Sequence, residues 1–235
     1  MRMKQATTAI LLLAGTLVAL TGCGAASKRS PEDWLSMSYS ALAATDQYEF
    51  TGSMSIKTAD GMEYKPEIFE GKVVDHEQLT VQTSNDEALQ WNPVDVLEAL
   101  NKNHAEVILR NDTKDPKTVV LHITEDHAVS KARWEQRLRQ QLDQLESSAP
   151  LEESAYKTEW VKEMSRSKKQ LNNMLASLEA ATEYDLVIDR IKLLPIKMEE
   201  KTKFNYTHRG HPVSESRYTS VRFQSYDGSP SVTFQ

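Results

Sequence analysis

The sequence predicts an α+β fold in which one antiparallel sheet carries helices on one of its faces. Three observations lead to this prediction. Alternating apolar and polar residues fill much of the first and last thirds of the chain, helical periodicity fills the middle, and short turns join successive strands. The 235 residues are 39% hydrophobic, so the chain is long enough to bury a substantial core in one domain.

The N-terminus has the features of a secretory signal peptide. Arg2 and Lys4 precede an apolar run over residues 9–20, which leads into Leu20-Thr21-Gly22-Cys23. The run is shorter than the roughly 20 residues that a membrane-spanning helix needs. The tetrapeptide resembles the bacterial lipobox, and this resemblance implies that Cys23 receives a diacylglycerol group and becomes the first residue after cleavage. The alternative is an ordinary signal peptide with a chance cysteine near its end.

Cys23 is the single cysteine of the chain. A disulfide within the chain is therefore impossible, and thiol catalysis and cysteine-based zinc sites are excluded from the folded domain. Membrane attachment is the role that remains for the thiol, since two or three acyl chains hold a protein firmly on a membrane. We predict a signal peptide over residues 1–22, a lipidated tether over 23–30 and a single domain over 31–235. We expect this domain at the extracytoplasmic face of the cell membrane.

The charge of the chain argues against nucleic acid as a partner. Removing residues 1–22, which carry two positive charges, takes the formal net charge from −6 to −8 over 213 residues. An acidic domain does not bind nucleic acid through its overall field and is poorly suited to direct contact with an anionic membrane. We therefore expect the lipid to provide the membrane attachment.

The first predicted elements are a capped helix and an alternating strand. Ser30 and Pro31 suit the N-cap and the first helical position. One face of this helix carries Trp34, Ser38, Ala41, Leu42 and Thr45. From Tyr48 to Ile56 the apolar residues recur at every second position, which predicts a half-buried strand. Further strands are predicted over 68–74, 79–83, 105–110 and 118–124, with a short helix over 94–100 that Asn92 caps.

The middle of the chain predicts two long amphipathic helices. The first covers about twenty residues from Asp126, with an apolar stripe through Trp134, and the second ends near Thr182. The last third predicts strands over 184–190, 196–206 and 216–226. The segment His208-Arg209-Gly210-His211 predicts the hairpin turn between the last two.

Four local features are similar to the LolA/RseB-like lipoprotein-domain superfamily. A helix over 34–45 runs into Tyr48-Glu49-Phe50-Thr51-Gly52, and residues 184–189 precede a proline-containing turn. That turn and the start of the following strand lie in Leu193-Leu194-Pro195-Ile196-Lys197-Met198, and a closing strand covers 218–226. The resemblance implies a curved antiparallel sheet, an incomplete barrel, with amphipathic helices packed on its concave face. Members of this superfamily carry lipidated proteins, bind lipids or sense envelope stress.

The sequence carries no catalytic motif that we can identify. It lacks a Gly-x-Ser-x-Gly elbow and a glycine-rich phosphate loop. Two histidine pairs, His122 with His127 and His208 with His211, could bind zinc, but neither has the spacing of a known zinc motif. Solvated turn histidines are the simpler interpretation. We therefore predict a protein that is not an enzyme and that has no catalytic residues, metal or cofactor.

Large apolar side chains could line a groove for a hydrophobic ligand, or they could simply pack the core. The candidates are Trp34, Met54, Trp134, Trp160, Met164 and Met174. The first hypothesis is that the protein binds an acyl chain or another lipid-like ligand. The alternative is an envelope sensor or assembly factor, in which the long helices contact a protein partner and no lipid is bound. A third hypothesis is an envelope hydrolase, which no sequence motif favours.

Overall fold

The computed structural model describes residues 29–76, 78–83, 92–110, 115–150 and 155–230. Cys23, the predicted signal peptide and most of the predicted tether lie outside these residues. The helices of the described chain are α1 (Pro31–Ala43), α2 (Pro93–Asn103), α3 (His127–Ser147) and α4 (Lys157–Leu175). The strands are β1 (Tyr48–Thr58), β2 (Glu67–Val74), β3 (Gln78–Thr83), β4 (His104–Arg110), β5 (Thr118–Glu125), β6 (Glu179–Asp189), β7 (Pro195–His208), β8 (His211–Tyr226) and β9 (Ser229–Pro230).

These strands form one antiparallel sheet with the order β3-β2-β1-β8-β7-β6-β5-β4, and the short β9 pairs with β8. The chain builds β1 to β3 as a meander and crosses through α2 to the far edge. It then returns strand by strand until β8 pairs with β1. The sheet is curved and not closed, and the helices pack on its concave face. The predicted fold class is confirmed.

Local signals in the sequence set the ends of several elements. The backbone N–H of Asp33 donates to the Ser30 hydroxyl at 3.1 Å, and the backbone N–H of Ser30 donates to the Asp33 carboxylate at 3.0 Å. This reciprocal capping box starts α1. At the start of α3 the Asp126 carboxylate accepts from the backbone N–H groups of Ala128 and Val129. Arg209 and Gly210, at φ 51° and 81°, form the two-residue turn between β7 and β8, which confirms the predicted hairpin.

The second long helix ends earlier than the sequence predicts. α4 stops at Leu175 and β6 begins at Glu179, so the prediction of helix up to Thr182 was wrong. Ala180 and Thr182 are buried and pair with β7. The local sequence favours a helix, but strand pairing and burial outweigh this weak intrinsic preference.

The inner face of the sheet has a continuous apolar core at the end that α1 and α2 cover. These two helices contact each other and β4, whereas α3 and α4 contact each other and the strands β6 and β7. Leu35 and Leu42 of α1 and Leu97 and Leu100 of α2 are fully buried in this core. The strands contribute Tyr48, Phe50, Phe69, Val73, Val107, Val119, Leu121, Ile123, Tyr184, Leu186, Ile188, Met198, Val221, Phe223 and Tyr226.

Two glycine–phenylalanine pairs interlock β1 and β2. Gly52 pairs with Phe69 across the strands, and Gly71 pairs with Phe50. A Cβ on either glycine would enter the ring of the paired phenylalanine. The two rings meet edge to face, with centroids 6.4 Å apart. These glycines are therefore required for space, because each ring occupies the position that a side chain would take.

We expect Gly71→Ala to lower the free energy of unfolding by about 1–3 kcal/mol, the usual cost of an overpacked core. Urea denaturation measures this change. Phe50→Leu removes the obstructing ring, so the double variant should lose less stability than the two single variants together. Strictly additive losses would contradict a steric cause.

Two core tyrosines predict a loss of stability at alkaline pH. Burial raises the pKa of Tyr48, to which the negative charge of Asp95 adds, and burial raises the pKa of Tyr226 well above its usual value. A phenol in the unfolded chain ionises near pH 10, so above about pH 10 the unfolded state loses protons that the native state keeps. The stabilisation is complete below about pH 10 and is lost as the pH rises further.

An alkaline titration followed by tyrosinate absorbance and circular dichroism tests this expectation. The absorbance of Tyr48 and Tyr226, obtained as the difference from the Tyr48→Phe/Tyr226→Phe variant, should rise together with unfolding. Ionisation of these two residues before the loss of secondary structure would show that the expectation is wrong.

Candidate functional site

The two helix pairs cover the sheet in different ways. α1 buries four side chains in 13 residues, and α2 buries three in 11 residues. α3 buries only Ser130 and Trp134 in 21 residues, and α4 buries Leu175 in 19 residues. The longer helices therefore bury a smaller share of their side chains than the shorter ones.

Contacts between α3 and α4 are largely polar in their middle and outer turns. The Arg139 guanidinium donates to the Asn172 side-chain oxygen at 2.9 Å, and the Lys168 ammonium lies 2.6 Å from the Glu146 carboxylate. Apolar side chains of the pair remain half-buried, among them Leu138, Leu142, Trp160, Met164, Leu171 and Met174. Several apolar side chains of this helix pair are thus partly exposed to solvent.

A group of charged side chains lies between α3 and the inner face of the sheet. We call it the arginine cluster: Arg133, Trp134 and Arg137 of α3, Arg217 of β8, and the carboxylates of Glu125 and Glu200. Glu125 and Glu200 are 2% and 5% exposed, and Arg217 is 8% exposed. Burial of this much charge is unusual, because desolvating a charge is costly unless it is paired.

Arg133 is the well-paired member of the arginine cluster. Its Nε donates to Glu125 Oε1 at 3.1 Å, and its Nη2 donates to Glu125 Oε2 at 2.8 Å. The same Nη2 donates to the Tyr184 hydroxyl at 2.9 Å and lies 3.7 Å from Glu200 Oε1. This fork geometry is the strong form of an arginine–carboxylate pair.

All three guanidinium groups of the cluster lie over the ring of Trp134. The guanidinium carbons of Arg133, Arg137 and Arg217 lie over its ring, 5.3, 5.1 and 4.8 Å from the centroid. Phe204 of β7 meets the same ring edge to face at 4.9 Å. A ring has two faces, so at least two of the three cations lie over the same face. Like charges are therefore held close together.

Charge in the cluster is not balanced. Three guanidinium groups face two buried carboxylates, and Glu67 of β2 attracts Arg217 only as a weaker, additional influence. Among the described residues, neither Arg137 nor Arg217 forms an ion pair within 4 Å, whereas Arg133 forms two. One positive charge is therefore in excess inside the cluster.

The pKa values reflect this imbalance. Burial, followed by repulsion from Arg137, lowers the pKa of Arg217 to about 9, and burial likewise lowers the pKa of Arg137. Burial also acts to lower the pKa of Arg133, but Tyr184 and the two carboxylates outweigh it and raise that pKa above its usual value. The protein thus favours the cation at Arg133 and disfavours it at Arg137 and Arg217.

Three buried polar atoms, two within the cluster and one next to it, have no hydrogen-bond partner in the described part of the chain. They are Trp134 Nε1, Arg217 Nε and Thr219 Oγ1. The first two are donors only, and the hydroxyl can donate as well. The neighbouring hydroxyls of Ser130, Thr182 and Thr202, in contrast, form a continuous chain with bonds of 2.7 and 3.0 Å. The arrangement can accept a ligand that brings hydrogen-bond acceptors and negative charge.

A second, shallow groove of about 260 Å³ lies on the opposite face of the sheet. Its lining includes His122, Asp185, Lys201 and Tyr218. His122 Nδ1 lies 2.8 Å from Asp185 Oδ1, and Arg110 Nη1 lies 3.2 Å from Asp185 Oδ2. His122 lies in β5, within the strand predicted over 118–124, and not in a turn as the interpretation of the histidines as turn residues had it.

Neither a metal cluster nor a spanning helix is found in the described ranges. No three His, Cys, Asp or Glu side chains group there in a way that could hold a metal ion. No helix there is long and apolar enough to cross a bilayer.

The structure does not bring the six predicted ligand-binding residues together. Trp34 lies in the core beneath α1, and Met54 packs against the same core. Trp134 lies instead in the arginine cluster, and the other three, Trp160, Met164 and Met174, are half-buried on α4. Trp134 and the α4 residues therefore share one end of the molecule, and Trp34 and Met54 belong to the other packing unit. Their contact with a ligand stays a prediction, as does lipidation of Cys23.

Sequence reasoning missed the charged members of the arginine cluster. Arg133 and Arg137 flank Trp134 on a helix that is rich in charged residues, so the sequence pattern predicts that both side chains face solvent. Glu200 and Arg217 occupy positions in strands whose neighbours at every second residue are buried. A charged residue on the buried side of an alternating strand is the signal that could have identified them.

The fold and the site together define an α+β protein with an open antiparallel sheet and a charged cluster beneath a helix pair that buries few side chains. No protein-family model matches the chain, and no curated protein matches it. Among solved structures, the chain is similar to lipovitellin, in a structure concerned with lipid–protein interactions. The TM-score is 0.37 and the identity 7%, over 80% of this chain and 26% of that chain. The chain therefore spans about a quarter of the lipovitellin chain.

Two further similarities are lower. A TesB protein of Mycobacterium avium subspecies paratuberculosis gives a TM-score of 0.14 at 6% identity, over 83% of this chain and 85% of that one. An acyl-CoA thioesterase II, TesB2, of Mycobacterium marinum gives 0.13 at 8% identity, over 85% and 91%. Similarities of this size carry no argument about what the chain does.

We expect Glu125→Gln to lower the free energy of unfolding by roughly 3 kcal/mol, because it leaves the Arg133 cation without its fork partner. The loss should lie at the low end of the range for buried pairs, since the Arg133 side chain keeps 27% exposure. Glu146→Gln, which breaks the exposed pair with Lys168, is the matched control and should cost under about 1 kcal/mol. Equal, small losses in urea denaturation for both variants would exclude a structural role for the Glu125 pair.

Proposed function

We propose that this protein is a membrane-anchored extracytoplasmic lipoprotein that binds a hydrophobic or lipid-like ligand. In this proposal the lipid on Cys23 holds the chain on the membrane, and the ligand lies between the α3–α4 pair and the inner face of the sheet. The signal-like N-terminus with its lipobox supports the anchor.

The observation that carries the ligand proposal is the sparse burial in α3 and α4. Forty helical residues contribute only Ser130, Trp134 and Leu175 to the buried interior. An element with few buried side chains separates from the core at a lower free-energy cost than a tightly packed one. Half-buried Trp160, Met164 and Met174 would then supply apolar contacts to an acyl chain, and methionine side chains adapt well to such ligands.

Catalysis is not part of the proposal. The buried carboxylate of Glu125 is bound by a guanidinium group, and the half-buried His122–Asp185 pair lies in an open groove on the other face of the sheet. Binding rather than bond-breaking is what a loosely covered, partly apolar interior serves best.

Expression of the full chain in a bacterial host that processes lipoproteins tests the anchor and the ligand in one preparation. We expect the wild type in the membrane fraction with the mass of an acylated Cys23. Cys23→Ser should abolish acylation. Native mass spectrometry of the detergent-extracted wild type should show additional mass, which solvent extraction should identify as a lipid.

Met164→Gln should reduce the amount of bound lipid, because it places an amide where the ligand needs an apolar contact. Val161→Gln makes a similar change at a position of the same helix that is 49% exposed, and should leave the bound lipid unchanged. A wild-type chain that carries no lipid would refute the ligand proposal and favour the sensor or assembly role. Proximity labelling from the anchored protein would then identify the protein partner.

A further inference from the structure

We propose that the arginine cluster binds an anionic group, a phosphate or a carboxylate, and that Arg137 and Arg217 are its principal contacts. The inference deepens the proposed function and rests on it for the apolar part of the ligand. The ligand class is then an anionic amphiphile, with its charged end at the cluster and its chain along the apolar side of α4.

The first support is convergence. Arg137 and Arg217 come from different elements, α3 and β8, yet both guanidinium groups lie over the ring of one residue, Trp134. The distance between the two guanidinium carbons is therefore at most the sum of their distances to the centroid of the Trp134 ring. The two cations therefore lie near one another, and repulsion from Arg137 is, after burial, the largest influence that lowers the pKa of Arg217.

The second support is the missing counter-charge. Arg133 already engages both carboxylates of the cluster, and Arg137 and Arg217 have no ion-pair partner among the described residues. An unpaired buried cation is strongly unfavourable, and an anionic ligand would relieve this cost by supplying the opposite charge. A single phosphate or carboxylate would neutralise the excess charge of the cluster.

The third support is the donor set. Trp134 Nε1, Arg217 Nε and Thr219 Oγ1 are buried and lack acceptors in the described chain, and Arg217 is more than nine-tenths buried. A tetrahedral phosphate or a planar carboxylate has several acceptor oxygens and matches the fork of a guanidinium group. A neutral hydrocarbon would leave all three donors unsatisfied.

The arginine cluster lies on elements that contact α4, which carries the half-buried apolar side chains. α4 contacts α3 and β7, and the same two elements hold Trp134 and its neighbour Phe204. The half-buried Trp160, Met164 and Met174 lie on α4. An amphiphile could contact the arginine cluster with its charged end and the apolar side chains of α4 with its chain. A free inorganic anion would contact the cluster alone.

Direct binding measurements separate these possibilities. We would place the full acylated chain in phosphatidylcholine nanodiscs and measure, by equilibrium dialysis against empty nanodiscs, the binding of dodecyl phosphate, dodecanol and inorganic phosphate. Dodecyl phosphate should bind at least about tenfold more tightly than dodecanol, because a hydrogen bond to a charged group contributes about that factor. Arg137→Gln and Arg217→Gln should each weaken dodecyl phosphate about tenfold and leave dodecanol unchanged.

Arg139→Gln is the matched control, because it removes an arginine of the same helix that is exposed and bonded to Asn172. It should leave all three affinities unchanged. Thermal unfolding in phosphate-free buffer distinguishes an arginine that binds a ligand from one that stabilises the fold, because the two roles shift the unfolding midpoint in opposite directions. Arg137→Gln removes an unpaired cation, so it should raise the midpoint of thermal unfolding, whereas loss of a structural arginine would lower it.

The outcomes distinguish failure of this inference from failure of the proposed function. Equal affinity for dodecyl phosphate and dodecanol, unaffected by Arg137→Gln, would overturn the anionic site and keep the apolar ligand. Binding of inorganic phosphate without either amphiphile, lost in Arg137→Gln, would support the anion site and overturn the lipid ligand. Absence of all binding would overturn both.

Discussion

Strands β1 and β8 come from opposite ends of the described chain and pair along their length, from Tyr48 with Tyr226 to Thr58 with Glu215. This ladder joins the N-terminal meander to the C-terminal run of strands, and without it the two would be separate sheets. Its formation must overcome the entropy of closing a very long loop. Aromatic packing of Tyr48 against Phe223 and Tyr226 offsets part of that cost, with ring centroids 6.1 and 6.4 Å apart.

Much of this fold could be predicted because the signals are local. Ser30 and Asn92 cap their helices as expected, and the two-residue alternation after Tyr48 reports the pleat of β1 directly. The end of α4 could not be predicted, because the residues from Glu179 become strand only through pairing with β7. The neighbourhood of β1 and β8 is likewise a long-range fact that no local pattern encodes.

The candidate site was harder to anticipate for a similar reason. Arginines on a polar-faced helix normally face water, whereas Arg137 is half-buried and lies over the same Trp134 ring as Arg217 of β8. Trp134 stood out in the sequence as a member of an apolar stripe, but its role as the ring that three guanidinium groups share required the structure. The molecule separates two tasks. The end under α1 and α2 provides apolar stability, and the end under α3 and α4 retains charge and unsatisfied donors that a compact core would eliminate.

On the proposed function, the excess charge of the arginine cluster would link the amount of this protein to the availability of its ligand. An empty chain would carry Arg137 and Arg217 unneutralised, and binding of an anionic amphiphile would stabilise the native state by an amount that grows with the logarithm of the ligand concentration above its dissociation constant. Proteases degrade chains that open, and a few kilocalories per mole change the steady-state abundance of a protein several-fold. Empty molecules would then be cleared from the envelope faster than loaded ones, so the population would adjust itself to supply without any change in gene expression.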